Sequence, residues 1–403
     1  MSEETEGGQR APQTVDQRRD AFVDRFASSV VGAQEVLSVY IGDRLGLYQA
    51  LSEGDALAAP ELAEAAGIHE RYAREWLEQQ AVCGILDVED AHAEPNSRRY
   101  RLPEGHDEVL LESDSLDFMA PLAQSLVSLA HTLPAVLEAF KTGGGVPFSW
   151  YGKDLRESMR VNRAEYVNLL GREWLPAIRD VDLRLQADPP ARVADVGCGM
   201  GWSSIAIARA YPKVRVDGFD LDEESIAQAK ANAEGERVAD RVSFRVQDAA
   251  DPRFSGRYDL AIAIDCIHDM SRPVEALRAM RSLVGEQGTA IVMDGRVSET
   301  FAAPGDDLER SFYCMSILHC LPVGMAERPS AATGAVMRAD TLRRYAKEAG
   351  FSEVEVLPIE HDLRGFYRLV LLTLFTRVRR RGVLRSSNAE SCIERPPRAE
   401  DGF

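Results

Sequence analysis

Asp195-Val196-Gly197-Cys198-Gly199-Met200-Gly201 follows the apolar residues Val193 and Ala194 and opens into Trp202-Ser203-Ser204. A strand that runs into a glycine-rich turn and then a helix is a ligand-binding crossover of doubly wound sheets. Glycine permits positive φ there and lets a ligand approach the backbone closely. The glycine spacing separates two ligand classes. Counted from Gly197, the third glycine of a GxGxxG dinucleotide fingerprint falls on Trp202, and counted from Gly199 it falls on Ser204. Neither register fits. Asp195 adds an electrostatic argument, because a carboxylate at the strand's end repels a pyrophosphate and attracts a ligand end that carries positive charge.

Working outward, apolar runs near 192–196, 214–220, 242–246, 258–264, 288–294, 354–357 and 367–375 alternate with amphipathic stretches near 203–210, 223–234, 273–284 and 340–349. That alternation predicts an α/β fold, a doubly wound, seven-stranded, mostly parallel Rossmann-like sheet. Leu369 to Phe375 is too short to span hydrocarbon and reads as a buried strand. Asp220 closes the second strand 21 residues after Gly199, where a carboxylate accepts hydrogen bonds from ribose hydroxyls. Asp248 and Ala249 follow the third strand, in position for a base pocket, and Asp265 and Cys266 follow the fourth. An ammonium and a sulfonium beside Asp195, a ribose at Asp220 and an adenine at Asp248 describe S-adenosylmethionine (SAM).

DVGCGMG, GFDLD, VQDAA and YDLAIAIDCIHDM resemble the successive motifs of class I SAM-dependent methyltransferases, over about 190 to 375. PELAEAAGIHERYAREWLEQQAVCGIL resembles the N-terminal winged-helix domain that accompanies many small-molecule O-methyltransferases, mediating dimerisation and helping to close the substrate cavity. The resemblance makes Asp195, Gly197, Gly199 and Gly201 the methionine-side contacts. Asp220 with Leu221 becomes the ribose site and Asp248 with Ala249 the adenine site, and Asp265 and Cys266 line the mouth. His268 corresponds to the histidine that deprotonates a hydroxyl acceptor, a task suited to an imidazole titrating near neutral pH, and Asp269 caps the next helix or supports it. Met270 stands where the family has tryptophan, and Asp294 is the candidate for one of the acids that flank the histidine. His319, Tyr151 and Trp150 are further candidates to lie over the substrate.

Composition sets the frame. With 403 residues, 45% hydrophobic and 28% charged, the chain suits two domains. Its net charge of -18 opposes general attraction to nucleic acid or an anionic membrane. No secretory signal opens the sequence, and the six cysteines lack the spacing of a disulfide framework or a metal site, so a cytoplasmic protein without a metal is expected.

The expected organisation is a disordered leader over 1–19, a winged-helix domain over 20–112, a helical region over 113–187, the SAM-binding domain over 188–376 and a disordered tail over 377–403 containing clustered arginines. Val36 to Leu51 has helical periodicity, weakened by Gly42 and Gly46. Pro60 to Ile68 and Glu70 to Gln80 read as two helices, with 85–88 and 98–102 as a hairpin. Pro121, Pro134 and Gly143-Gly144-Gly145 predict several short helices across 115–180.

The expected partners are a small-molecule methyl acceptor and, from the resemblance and the apolar N-terminal helix, a second copy of the chain. The alternative is a SAM-binding regulator that grips DNA through the winged helix. Five glutamates against Arg71 and Arg74 over 59–86 oppose it, and Arg98, Arg99 and Arg101 on the wing favour it.

Overall fold

The computed structural model describes residues 14–371 and opens with a helix, Val15–Arg44. This helix starts inside the stretch expected to be a leader. Thr14 caps it reciprocally: the Thr14 hydroxyl accepts the Gln17 N–H and the Gln17 side chain accepts the Thr14 N–H. Gly42 stays helical because it makes room for two rings. A Cβ there would lie 2.5 Å from Trp76 and 2.6 Å from Tyr48. Gly46, at φ 67°, then breaks the chain, and Leu47–Ser52 forms a second short helix, so the periodicity over 36–51 belongs to two elements.

Helices Ala59–Ala66 and Glu70–Val82 flank Gly67, whose φ of 65° allows the turn. β1 (Asp87–Val88) and β2 (Tyr100–Arg101) pair antiparallel, and Leu57 bridges to Tyr100. Leu62, Leu77, Tyr48 and Tyr100 form the core of this winged helix. Each wing arginine is spent within the domain: Arg98 pairs with Glu78, Arg99 with Glu61 and Arg101 with Asp87.

The region that follows corrects one expectation. Pro121–Thr142 is a single helix that contains Pro134. A proline removes one backbone bond, but Leu129, Thr132 and Val136 are buried along this face and hold the helix through the defect. Short helical segments do appear from Phe148 to Gln186, among them a widened, π-type stretch, Tyr166–Trp174.

The remainder is a seven-stranded sheet of β3 (Arg192–Val196), β4 (Arg215–Asp220), β5 (Val242–Val246), β6 (Leu260–Ile264), β7 (Thr289–Gly295), β8 (Glu353–Val356) and β9 (Arg364–Val370). Their order is β5-β4-β3-β6-β7-β9-β8, with β9 antiparallel to both neighbours and the rest parallel. Strand order reverses between β3 and β6, and ligands of such sheets bind at the carboxyl edge beside that point. Each face of the sheet carries its own apolar layer. Ile205, Ile226 and Trp174 lie in one, and Leu277, Leu283 and Leu342 in the other. The apolar run 367–375 is paired as far as Val370, while its end, the arginine-rich tail and Cys392 lie outside the described residues.

Candidate functional site

β3 and β6 deliver the two halves of the site to the reversal point. After β3, Gly197, Gly199 and Gly201 all take positive φ, at 72°, 49° and 80°, but only one of them faces free space. A Cβ on Gly197 would meet Cys266 Sγ at 2.6 Å, and one on Gly201 would meet the Phe244 ring at 2.5 Å, whereas nothing lies within 4 Å of one on Gly199. Gly197 and Gly201 therefore serve packing, and Gly199 offers open backbone to a ligand.

Asp195 does not present its carboxylate as expected. It is 1% exposed, and its Oδ2 accepts the hydroxyls of Ser203 and Ser204, each at 2.6 Å. Burial pushes its pKa up to about 6 against the pull of those hydroxyls. Through these bonds it anchors the end of β3 to the first turn of helix Trp202–Ala210.

Asp220 is the acid that remains available. Its Oδ2 accepts the Gly199 N–H at 2.8 Å and its Oδ1 the Asp222 N–H at 2.9 Å, which aims the carboxylate along the glycine turn. A carboxylate has about four acceptor positions, so two are left for a diol. Burial raises its pKa despite the backbone donors. Leu221 beside it is 59% exposed, an apolar surface next to the polar one. Asp248 is shared: Oδ1 accepts the Ala250 N–H at 2.8 Å and Oδ2 takes Arg272 at 2.6 Å. Ala249 packs against the apolar layer at its back.

Asp265, at φ 51°, turns its carboxylate to the buried Arg364, which also holds Glu165 at 2.5 Å. Cys266 donates to the Val196 carbonyl at 3.2 Å and fills the space left by Gly197. Both side chains are thus engaged in contacts within the protein. Arg156 makes a further link, gripping Asp222 with two bonds of 2.7 and 2.9 Å and so joining the helical region to the Asp220 turn. Arg156, Arg272 and Arg364 were not legible in the sequence, because an arginine's partner lies tens of residues away and leaves no local pattern.

The turn after β6 brings His268 to Asp294 on β7. Nδ1 of the histidine lies 2.8 Å from Asp294 Oδ1, in buried surroundings, and Asp294 Oδ1 also accepts the Gly295 N–H. Burial disfavours the imidazolium, but the charge and hydrogen bond of Asp294 and the neighbouring Cys320 outweigh it, so the pKa stands well above 6.5. Asp269 is half-buried, and burial raises its carboxyl to about 6 while the charge of His268 acts in the opposite sense. A histidine oriented by a buried carboxylate through Nδ1 and flanked by the Cys320 thiol is a candidate general base.

Family profiles agree with the two halves of this description. One described as a methyltransferase domain matches residues 193–288, and one described as an Rv2258c-like winged HTH domain matches residues 33–111. Ajmaline N-methyltransferase of Rauvolfia serpentina is 26% identical over 178 residues, 41% of this chain. The chain spans 59% of the length of that curated relative. Among solved structures, an O-methyltransferase family protein from Burkholderia thailandensis superposes with a TM-score of 0.64 at 14% identity, covering 90% of this chain and 100% of the other. Human N-acetylserotonin methyltransferase in complex with SAM superposes with a TM-score of 0.64 at 17% identity, covering 91% and 100%. The chain therefore carries a methyltransferase domain over 193–288 and a winged helix-turn-helix domain over 33–111, in the fold of the SAM-dependent methyltransferases of known structure.

Proposed function

We propose that this protein transfers a methyl group from SAM to an oxygen of a small-molecule acceptor, with His268 as the base. The observation that carries the reading is the His268–Asp294 pair at the carboxyl edge of the sheet, beside the open backbone of Gly199 and the oriented carboxylate of Asp220. These residues fit SAM: Asp220 would accept from the ribose, Leu221 would lie beside it, Asp248 with Ala249 would receive the adenine, and the turn at Gly199 would take the methionine end. SAM supplies an activated methyl group, so the protein's tasks are to orient the acceptor, exclude water and take its proton.

His268 does the last of these. Asp294 fixes the tautomer and raises the proton affinity of the ring, so the neutral imidazole is a strong acceptor for a hydroxyl proton and the resulting imidazolium is held by the carboxylate. The test is to mix the protein with SAM and a panel of phenols, carboxylic acids and amines and to follow S-adenosylhomocysteine (SAH). Release with a hydroxyl acceptor supports the reading, and release with amines alone contradicts it. His268→Ala should cut turnover by about 100-fold or more while leaving SAH affinity within a few fold.

The ion pairs on all three wing arginines favour this reading over DNA binding. A homodimer is supported by the first helix, where Phe22, Val23, Phe26 and Val30 are exposed. Free cysteines at 83, 198, 266, 314 and 320 suit a reducing, cytoplasmic setting. Among the described residues, no helix is long and apolar enough to cross a membrane.

A further inference from the structure

Beside the base lies a second imidazole that methyl transfer as described does not use. His319 is 4% exposed, and its Nε2 is buried with no hydrogen-bond partner. Buried polar atoms are nearly always paired, and an orphan calls for a specific explanation. His319 stands on a π-type turn, Ser316–Cys320, between helices Asp307–Met315 and Leu321–Gly324. Such widened turns concentrate at functional sites.

The turn is pressed against the segment that carries the base. A Cβ on Gly324 would lie 3.1 Å from the Asp269 carbonyl oxygen. Cys320 joins the two histidines, with its sulfur 3.6 Å from His319 Nδ1 and its thiol also against His268. On the other side, the rings of Tyr151 and Phe148 stand edge-to-face with His319, at centroid distances of 4.6 and 5.9 Å. The Tyr151 hydroxyl is already committed to the Leu318 carbonyl at 2.8 Å and does not satisfy the imidazole.

We propose that His319 is a specificity-determining residue whose Nε2 hydrogen-bonds a second oxygen of the acceptor, so that the preferred substrate is an aromatic hydroxyl compound with another oxygen beside the reacting one. The rings of Tyr151 and Phe148 beside His319 suit a flat, aromatic neighbour, and Cys320, in contact with both imidazoles, brings the two histidines within reach of adjacent oxygens on one acceptor. Burial, and then the charge of His268, lower the pKa of His319 to about 4. It is therefore a neutral ring at physiological pH, able to donate or accept according to tautomer. This inference rests on the methyltransferase reading and adds the acceptor's chemical class.

The test is calorimetric titration of the full chain, loaded with SAH, with catechol and with phenol. The wild type should bind catechol at least about tenfold more tightly than phenol, because a site built around a hydrogen bond rejects the analogue that lacks it. His319→Leu should abolish the preference by weakening catechol alone, and His319→Gln should restore part of it, which a purely structural role would not do. His268→Ala should lose turnover and keep the preference. Failure of the wild type to take up SAH would overturn the methyltransferase reading itself. Uptake of SAH with equal affinity for the two phenols, or with binding of neither, would overturn this inference alone and leave His319 as a ring packed against Tyr151.

Discussion

His268 and Asp294 set the pH dependence of the proposed reaction. Only the neutral imidazole accepts a proton, and Asp294 raises the pKa of the ring well above 6.5. Activity should thus be low on the acid side and rise with pH through that raised value. Asp294→Asn removes the charge, so the acid limb of kcat/KM should move to lower pH while kcat falls by about 100-fold. A pH profile unchanged by the substitution would detach Asp294 from the chemistry. Asp195 acts differently. Asp195→Ala would strand the buried hydroxyls of Ser203 and Ser204, and urea denaturation should register a loss of about 1 to 3 kcal/mol for each. Asp220→Ala leaves the anchor intact and should weaken SAH binding by about 1 to 3 kcal/mol, read by calorimetry.

At the scale of the element, the strand, glycine turn and helix from Arg192 to Ala210 were legible because each signal is local. The roles of the three glycines within the turn were not, since they depend on what packs against them from β5 and β6. That difference is testable. Gly197→Ala would drive a methyl group into Cys266 at positive φ, so it should destabilise the fold by about 1 to 3 kcal/mol. Gly199→Ala meets open space and should cost only about 1 kcal/mol of backbone strain, yet it should weaken SAH binding the more of the two. Thermal melting with and without SAH separates the outcomes, and equal effects of both substitutions on melting would contradict the assignment. The helix through Pro134 departs from expectation because its support comes from buried neighbours, which outweigh a local breaker.

Over the whole molecule, the alternation of apolar runs and amphipathic stretches sufficed for a seven-stranded, mostly parallel sheet, while the strand order, and with it the reversal point, came only from the pairing. Long-range ion pairs escaped, because Arg156, Arg272 and Arg364 each meet a carboxylate from a separate element. The first helix also exceeded expectation, capped at Thr14 and exposing Phe22 and Phe26, the latter at 62%. If a second copy covers that face, Phe22→Glu with Phe26→Glu should convert a dimer to a monomer in sedimentation velocity. A wild type that sediments as a monomer would remove the dimer from the account.

All of these expectations depend on which ligand the Gly199 turn and Asp220 receive. Calorimetric titration of the purified protein with SAH and, in parallel, with NADH measures that choice. Saturable binding of SAH that Asp220→Ala weakens, with no heat from NADH, is the predicted result, and binding of NADH without SAH would contradict the account at its root.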